Sequence, residues 1–178
     1  MKAVMRKLRN NIGTSLAEVL VTVLLLSIMG VALTVGVTTV HRTYSQIVRK
    51  ANEQTLLSTT LIEMRNAIRR SVDYDTTHRR FKSEEGYWFS FENAGTGEKG
   101  IQIAYYMEVD GAKVDSIPLV SEADGKISDV YSSFTSVAPA AGKDGIFVIT
   151  GLEVGNGTDV PTKLDSYKVR QIIKGGSE

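Results

Sequence analysis

Residues 19–40 read VLVTVLLLSIMGVALTVGVTTV, 22 consecutive positions with no charged side chain and no proline. As a helix rising about 1.5 Å per residue, such a run spans roughly 33 Å, enough to cross a bilayer core of about 30 Å. Gly30 and Gly36 weaken a helix in water, yet small residues are common in membrane helices because they let a neighbouring helix approach. A chain of 178 residues has too little interior to bury this run on every side, so the segment is expected to be a membrane-compatible helix rather than a core helix. A cleavable secretory signal fits poorly. The run is far longer than the usual apolar region of about 7–15 residues, and the nearest cluster of small residues, 138–141, lies about 100 residues downstream.

The bulk composition hides this segment. The chain is 42% hydrophobic and 23% charged with a net charge of +1, values of an ordinary soluble protein. The charge is nevertheless segregated: residues 1–13 carry four basic side chains and no acid (+4), residues 14–70 carry +3, and residues 71–178 carry −6. Thirteen of the sixteen glycines and all three prolines, Pro118, Pro139 and Pro161, also lie beyond residue 71. A helical first part and a turn-rich sheet domain follow from that split. The absence of cysteine excludes a disulfide framework and thiolate metal sites, and two histidines give little material for a His-based site. A near-neutral total gives no general case for nucleic-acid binding.

One residue breaks the apolar pattern. Between Thr14 and His41 the only ionisable side chain is Glu18. A carboxylate inside an apolar helix costs about 2.5–3.5 kcal/mol at a membrane centre and less near the interface, so it is either a functional position that needs a partner or a snorkelling or protonated Glu at the membrane surface. Upstream lies MKAVMRKLRNNIG, a short basic stretch, and Gly13-Thr14-Ser15-Leu16-Ala17-Glu18 joins it to the apolar run. Over residues 1–40 this arrangement resembles the N-terminus of a type IV prepilin.

The resemblance implies a set of sites. A dedicated prepilin peptidase would cut between Gly13 and Thr14, making Glu18 the fifth residue of the mature chain. Cleavage creates an α-amine, positive at neutral pH, and the glutamate of an incoming subunit would pair with that amine on a neighbour, so that neither charge is left alone in an apolar helix bundle. Family peptidases also methylate the new N-terminus. Here Thr14 stands where an aromatic residue or methionine is usual, and Ala17 where isoleucine is usual, so methylation of Thr14 stays an open alternative. The implied partners are the peptidase, other pilin subunits and a membrane assembly platform, with nucleic acid only as the cargo of a DNA-uptake filament. The implied location is the cytoplasmic membrane, leader inside and C-terminal domain outside, and then an extracellular filament. Arg42, Arg49 and Lys50 follow the apolar run closely, so basic flanks alone orient the helix weakly.

The helix is expected to continue past the membrane run. Residues 41–71 contain no Gly or Pro, and apolar residues recur as Tyr44, Ile47, Val48 and Ala51, then as Leu57, Leu61, Met64, Ile68 and Val72. Each group has the three- and four-residue spacing of one helix face, and the polar stretch 52–55 shifts the phase between them. The expected fold is α+β: a long N-terminal α-helix, membrane-spanning and then amphipathic, packed on an antiparallel β-sheet domain. The expected divisions are a leader at 1–13, the hydrophobic helix at 14–40, its amphipathic continuation at 41–71 and the sheet domain at 72–178.

In that domain Ile101, Ile103, Tyr105, Met107 and Val109 alternate with polar or small residues, the pattern of a half-buried strand over 101–109, and Asp110 and Gly111 supply a hairpin turn into 113–120. Further strands are expected at 86–92, 145–154 and 166–173, with turns at Asp124 and Gly125, Asp144 and Gly145, and Asn156 and Gly157; residues 121–144 read as a variable surface loop. Several motifs fail on context. Residues 95–100 match G-x-G-x-x-G but precede a strand instead of a helix, so they read as a hairpin loop. Asn156-Gly157-Thr158 is more simply a turn than a glycosylation site. Asp73, Asp75 and His78 read as a solvated loop, not a metal site. Arg79, Arg80 and Lys82 beside Tyr87 and Trp88 are followed by Glu84 and Glu85, a mixed-charge surface. With no nucleophile, base and orienting group to assemble, no enzymatic activity and no cofactor are expected. The readings left are a structural filament subunit, a pseudopilin of a secretion or DNA-uptake apparatus, and a single-pass anchored binding domain.

Overall fold

A computed structural model describes residues 16–95, 100–120, 130–156 and 160–172. The chain is α+β: among the described residues, one long helix, α1 (Leu16–Arg70), precedes nine antiparallel strands. Two compact units divide it, one ending at Ile47 and the other beginning at Val48. Glu18 stands in the first turn of α1 and Arg69 and Arg70 in its last, charges that complement the helix dipole at both ends.

In the unit beginning at Val48, the helix buries Glu53, Thr60, Met64 and Ile68, a stripe with the spacing of one helix face. Leu57, Leu61 and Ala67 flank it, partly buried against the core. The second apolar group read from the sequence is therefore the packing face. Of the first group, Tyr44 is 65% exposed and Ile47 62%, and Ala51 is exposed as well.

Five strands form a meander in sequence order: β1 (Ser71–Asp75), β2 (Arg80–Ser83), β3 (Trp88–Asn93), β4 (Ile101–Tyr106) and β5 (Lys113–Pro118). The short polar strands β1 and β2 were not expected from the sequence. The pairing of Tyr74 with Phe81 and of Phe81 with Phe89 explains them, since each supplies one ring to a shared face. Strand β4 ends at Tyr106, short of Val109. Residues beyond it turn back instead, with the Gly111 amide donating to the Glu108 carbonyl at 3.2 Å. Ile101 lies in the core, and Ile103 and Tyr105 pack against it partly buried. Ala104 and Tyr106 on the opposite face are buried as well, so β4 is not the half-buried strand expected, and Met107 is 73% exposed.

The second sheet is built on β8 (Ile146–Gly155). Strand β9 (Thr162–Arg170) pairs along one side of it. The other side is shared by β6 (Tyr131–Ser133) and β7 (Ser136–Pro139), which follow each other along β8 with Ser133 opposite Glu153 and Ser136 opposite Thr150. These two strands correct the expectation of a loop there; residues 121–129 of that stretch, with the Asp124 and Gly125 turn, lie outside the described residues. In the gap between β6 and β7, the Asn93 side chain accepts from the Phe134 amide at 3.0 Å and donates to its carbonyl at 2.8 Å. One side-chain amide thus replaces the missing ladder partners, as an interrupted strand requires.

Both sheets and the helix share one core of Met64, Ile68, Phe81, Phe89, Phe91, Ile101, Phe147, Ile149, Leu152 and Val169. Phe81 lies at its centre, 1% exposed, with ring centroids 4.7 Å from Tyr74, 4.9 Å from Phe147 and 5.5 Å from Phe89. Burial along β8 changes phase: Phe147 and Ile149 are buried, then Leu152 and Val154. The change falls at Gly151, whose φ of +64° sits where a strand residue with a side chain would be strained.

Candidate functional site

The two halves of α1 present opposite chemistry. From Leu16 to Val40, fifteen large apolar side chains are 49–86% exposed. Burying each would contribute about 1.5–3 kcal/mol, so leaving all fifteen in water forfeits more than the roughly 5–15 kcal/mol by which a domain is stable. The described residues thus contain one helix long and apolar enough to cross a membrane.

The polar groups in this run turn inward to the helix. All five hydroxyls between residues 16 and 40 donate to backbone carbonyls of the preceding turn: Thr22 to Glu18 at 2.7 Å, Ser27 to Val23 at 2.8 Å, Thr34 to Gly30 at 2.9 Å, Thr38 to Thr34 at 3.0 Å and Thr39 to Val35 at 2.8 Å. The same bond occurs at Ser45, Thr55 and Ser58, so it is a general habit of helical Ser and Thr. Its consequence in the apolar run is specific, because no hydroxyl there needs water. A Cβ placed on Gly30 or Gly36 would meet nothing within 4 Å. Nothing in this chain's own packing requires glycine at either position, and both leave room for the close approach of another helix.

Glu18 is exposed within the first helical turn, one turn ahead of Thr22. Gly13 and Thr14, the expected cleavage pair, lie outside the described residues. The structure therefore locates one of the three expected site residues.

On the sheet domain, the residues considered for other chemistry take structural parts. Asp75 and His78 come together across the β1–β2 turn, the Asp75 carboxylate accepting from the His78 amide at 2.6 Å and lying 2.9 Å from its Nδ1. That amide bond holds the Asp75 carboxyl below the usual carboxylate range. Asp73 and Asp75 both lie in strand β1, not in the loop expected, and the Asp73 carboxylate accepts from the Tyr74 amide at 2.7 Å. No group of three metal-ligating side chains occurs among the described residues. Gly95 and Gly100 flank the β3–β4 hairpin, where the Ala94 amide donates to the Gly100 carbonyl at 2.8 Å; residues 96–99 lie outside the described set, as do Gly157 and Thr158 of the Asn156 turn.

Arg80 has a part that its place in a basic cluster concealed. Its guanidinium lies 3.4 Å from the centroid of the Tyr106 ring and donates to the carbonyls of Val109 at 2.6 Å and Gly111 at 3.0 Å. It thereby pins the β4–β5 turn. Beside it, Glu92 accepts from the Tyr106 hydroxyl at 2.7 Å and Lys113 at 3.2 Å. Burial works to raise the Glu92 carboxyl pKa, but those bonds outweigh it and leave it below the usual range.

The most deeply buried carboxylate, Glu53, was not singled out from the sequence. A signal was present: Arg49 and Lys50 stand four and three residues ahead of it, one helical turn away.

Compared with protein-family models, with curated proteins and with solved structures, the chain finds no match.

Proposed function

We propose that this chain is the structural subunit of a type IV pilus-like filament, cleaved by a prepilin peptidase between Gly13 and Thr14 and polymerised through its N-terminal helix. The observation that carries the reading is the apolar run of α1, exposed along its whole length, interrupted by a single carboxylate at Glu18 and borne on the same helix whose later turns build a domain core. Such a surface calls for a membrane before assembly and for other apolar helices after it. In that apolar setting Glu18 is read as the anionic partner of the α-amine released at Thr14 of a neighbouring subunit. The partners are accordingly the peptidase, further pilin subunits and the assembly platform in the cytoplasmic membrane, with the sheet domain on the outer side.

Sequencing the N-terminus of the membrane-fraction protein tests the first step. In a strain with active prepilin peptidase the protein is expected to start at Thr14, and a Met1 start there refutes the reading. Glu18→Ala is expected to leave cleavage and membrane insertion intact while reducing incorporation into sheared filaments at least tenfold. Wild-type incorporation by that variant removes the role given to the carboxylate. Labelling along whole filaments marks a main subunit, whereas a membrane-bound protein absent from every filament indicates an anchored domain.

A further inference from the structure

Within the unit beginning at Val48, the first buried side chain of α1 is a carboxylate. Glu53 is 1% exposed, and it is the one buried carboxylate among the described residues. Its Oε2 accepts from Lys50 Nζ at 2.7 Å and from the Thr162 hydroxyl at 2.8 Å, and its Oε1 faces Arg49 Nε at 3.5 Å. Lys50 Nζ also donates to the Val160 carbonyl at 3.0 Å. Five residues thus join one turn of the helix to the start of β9. The first apolar helix residue packed against the core is Leu57, one turn further on.

The other end of β9 is tied to the helix as well. The Ile172 amide donates to the Arg69 carbonyl at 3.1 Å, and Gln171 Nε2 donates to the Ser71 carbonyl at 2.6 Å. Helix residues 53–70 rise about 26 Å, and the nine residues of β9 span about 30 Å. The strand is therefore a strap of matching length, fastened to the helix at both ends. The two fastenings differ in kind. Near Ser71 they close beside the buried Met64 and Ile68, whereas at Glu53 they depend on a desolvated charge.

We propose that Glu53, Lys50 and Thr162 form a clasp that sets the register of β9 against the helix and is the point from which this domain opens. Removing the Glu53 charge releases helix residues 50–57 and the start of β9 together, while the core around Met64 and Ile68 stays closed. An apolar contact at this place would tolerate sliding; a carboxylate fixed by an ammonium and a hydroxyl does not, and the loss of one partner leaves a buried polar group unsatisfied. The clasp is a property of the domain and holds whether or not the chain polymerises.

Among the described residues, the charged groups facing Glu53 are Arg49 and Lys50, both on its own helix; β9 presents the uncharged Thr162 hydroxyl, and Lys163 pairs with Glu153 instead. Burial raises the Glu53 pKa, but the bonds from Lys50 and Thr162 and the two cations outweigh it, so the carboxyl titrates below its usual range. A lowered pKa means that the clasp contributes fully above the ordinary carboxylate pKa and is lost as the pH falls through the depressed value.

Hydrogen exchange on the full chain in detergent tests the proposal, with protection corrected for intrinsic exchange at each pH. At pH 7, Glu53→Gln is expected to lower protection at least tenfold in residues 50–57 and in residues 160–164, leaving residues 64–68 unchanged. Wild type is expected to approach the same state as the pH falls below the ordinary carboxylate range, with no further step in the variant. Unchanged protection, loss in only one of the two segments, or equal loss at residues 64–68 overturns the proposal. Should Glu53→Gln fail to fold, Lys50→Met gives a second reading: loosening of both segments supports the clasp, and wild-type protection refutes it.

Discussion

Replacing Gly151 with alanine tests how β8 is built. Gly151 has φ of +64° in the middle of a ten-residue strand, and a Cβ there would overlap Thr135 Oγ1 and lie 3.0 Å from Thr135 Cβ. The left-handed conformation costs a residue with a side chain about 1–2 kcal/mol. Rotation of Thr135 relieves the hydroxyl overlap, but its Cβ and backbone are held by the Thr135 amide bond to the Thr150 carbonyl at 3.0 Å. The remaining overlap adds about 1 kcal/mol, at the low end of overpacking costs. Gly151→Ala is therefore expected to destabilise the sheet domain by about 2–3 kcal/mol, measured as a shift in the urea midpoint of the full chain in detergent at unchanged slope. The double variant Gly151→Ala with Thr135→Gly separates the two causes. Relative to Thr135→Gly alone, the alanine should cost only its backbone part, about 1–2 kcal/mol. A loss below about 0.5 kcal/mol for Gly151→Ala, the range of a neutral surface change, would refute the account of β8 in which this glycine turns Leu152 into the core.

Two further substitutions probe the core and the outer sheet face. Phe81→Ala removes the ring that Tyr74, Phe89, Phe91 and Phe147 all touch, and the expected loss is about 3–5 kcal/mol by denaturant titration; a loss under 1 kcal/mol would show the rings to be independent. Arg80→Ala frees the carbonyls of Val109 and Gly111 and uncovers the Tyr106 ring, so exchange protection around residues 107–112 is expected to fall at least tenfold while Phe81 and its neighbours keep their near-ultraviolet signal.

The helix was legible because its signals are local. Residues 16–70 carry no proline, the charge-free run is unbroken, and the Leu57, Leu61, Met64 and Ile68 stripe has the period of one face. Strands β3, β4, β5, β8 and β9 were legible where apolar residues alternate or cluster between turn signals, although their ends moved by a few residues. Strands β1, β2, β6 and β7 were not, since SVDYD, RFKS and YSS are short and mostly polar and SVAP is short and carries a proline. Their strand character comes from pairing with a neighbouring strand: Phe81 beside Phe89, and Ser136 opposite Thr150. Arg80 and Glu53 were hidden for the same reason. A charge cluster on paper does not reveal which cation will find three turn carbonyls, or which carboxylate will meet a hydroxyl 109 residues away.

By itself the sequence determined that this chain has a helix unsuited to water, a lone carboxylate near its start and a separate turn-rich domain, because hydrophobic length, helical period and charge are written along the chain. Tertiary structure alone decided which helix face is buried, where burial begins and how the interrupted strand is completed. Glu53, Asn93 and Gly151 each act through a residue brought close only by folding, and neither a pair's distance nor a backbone angle can be read from spacing.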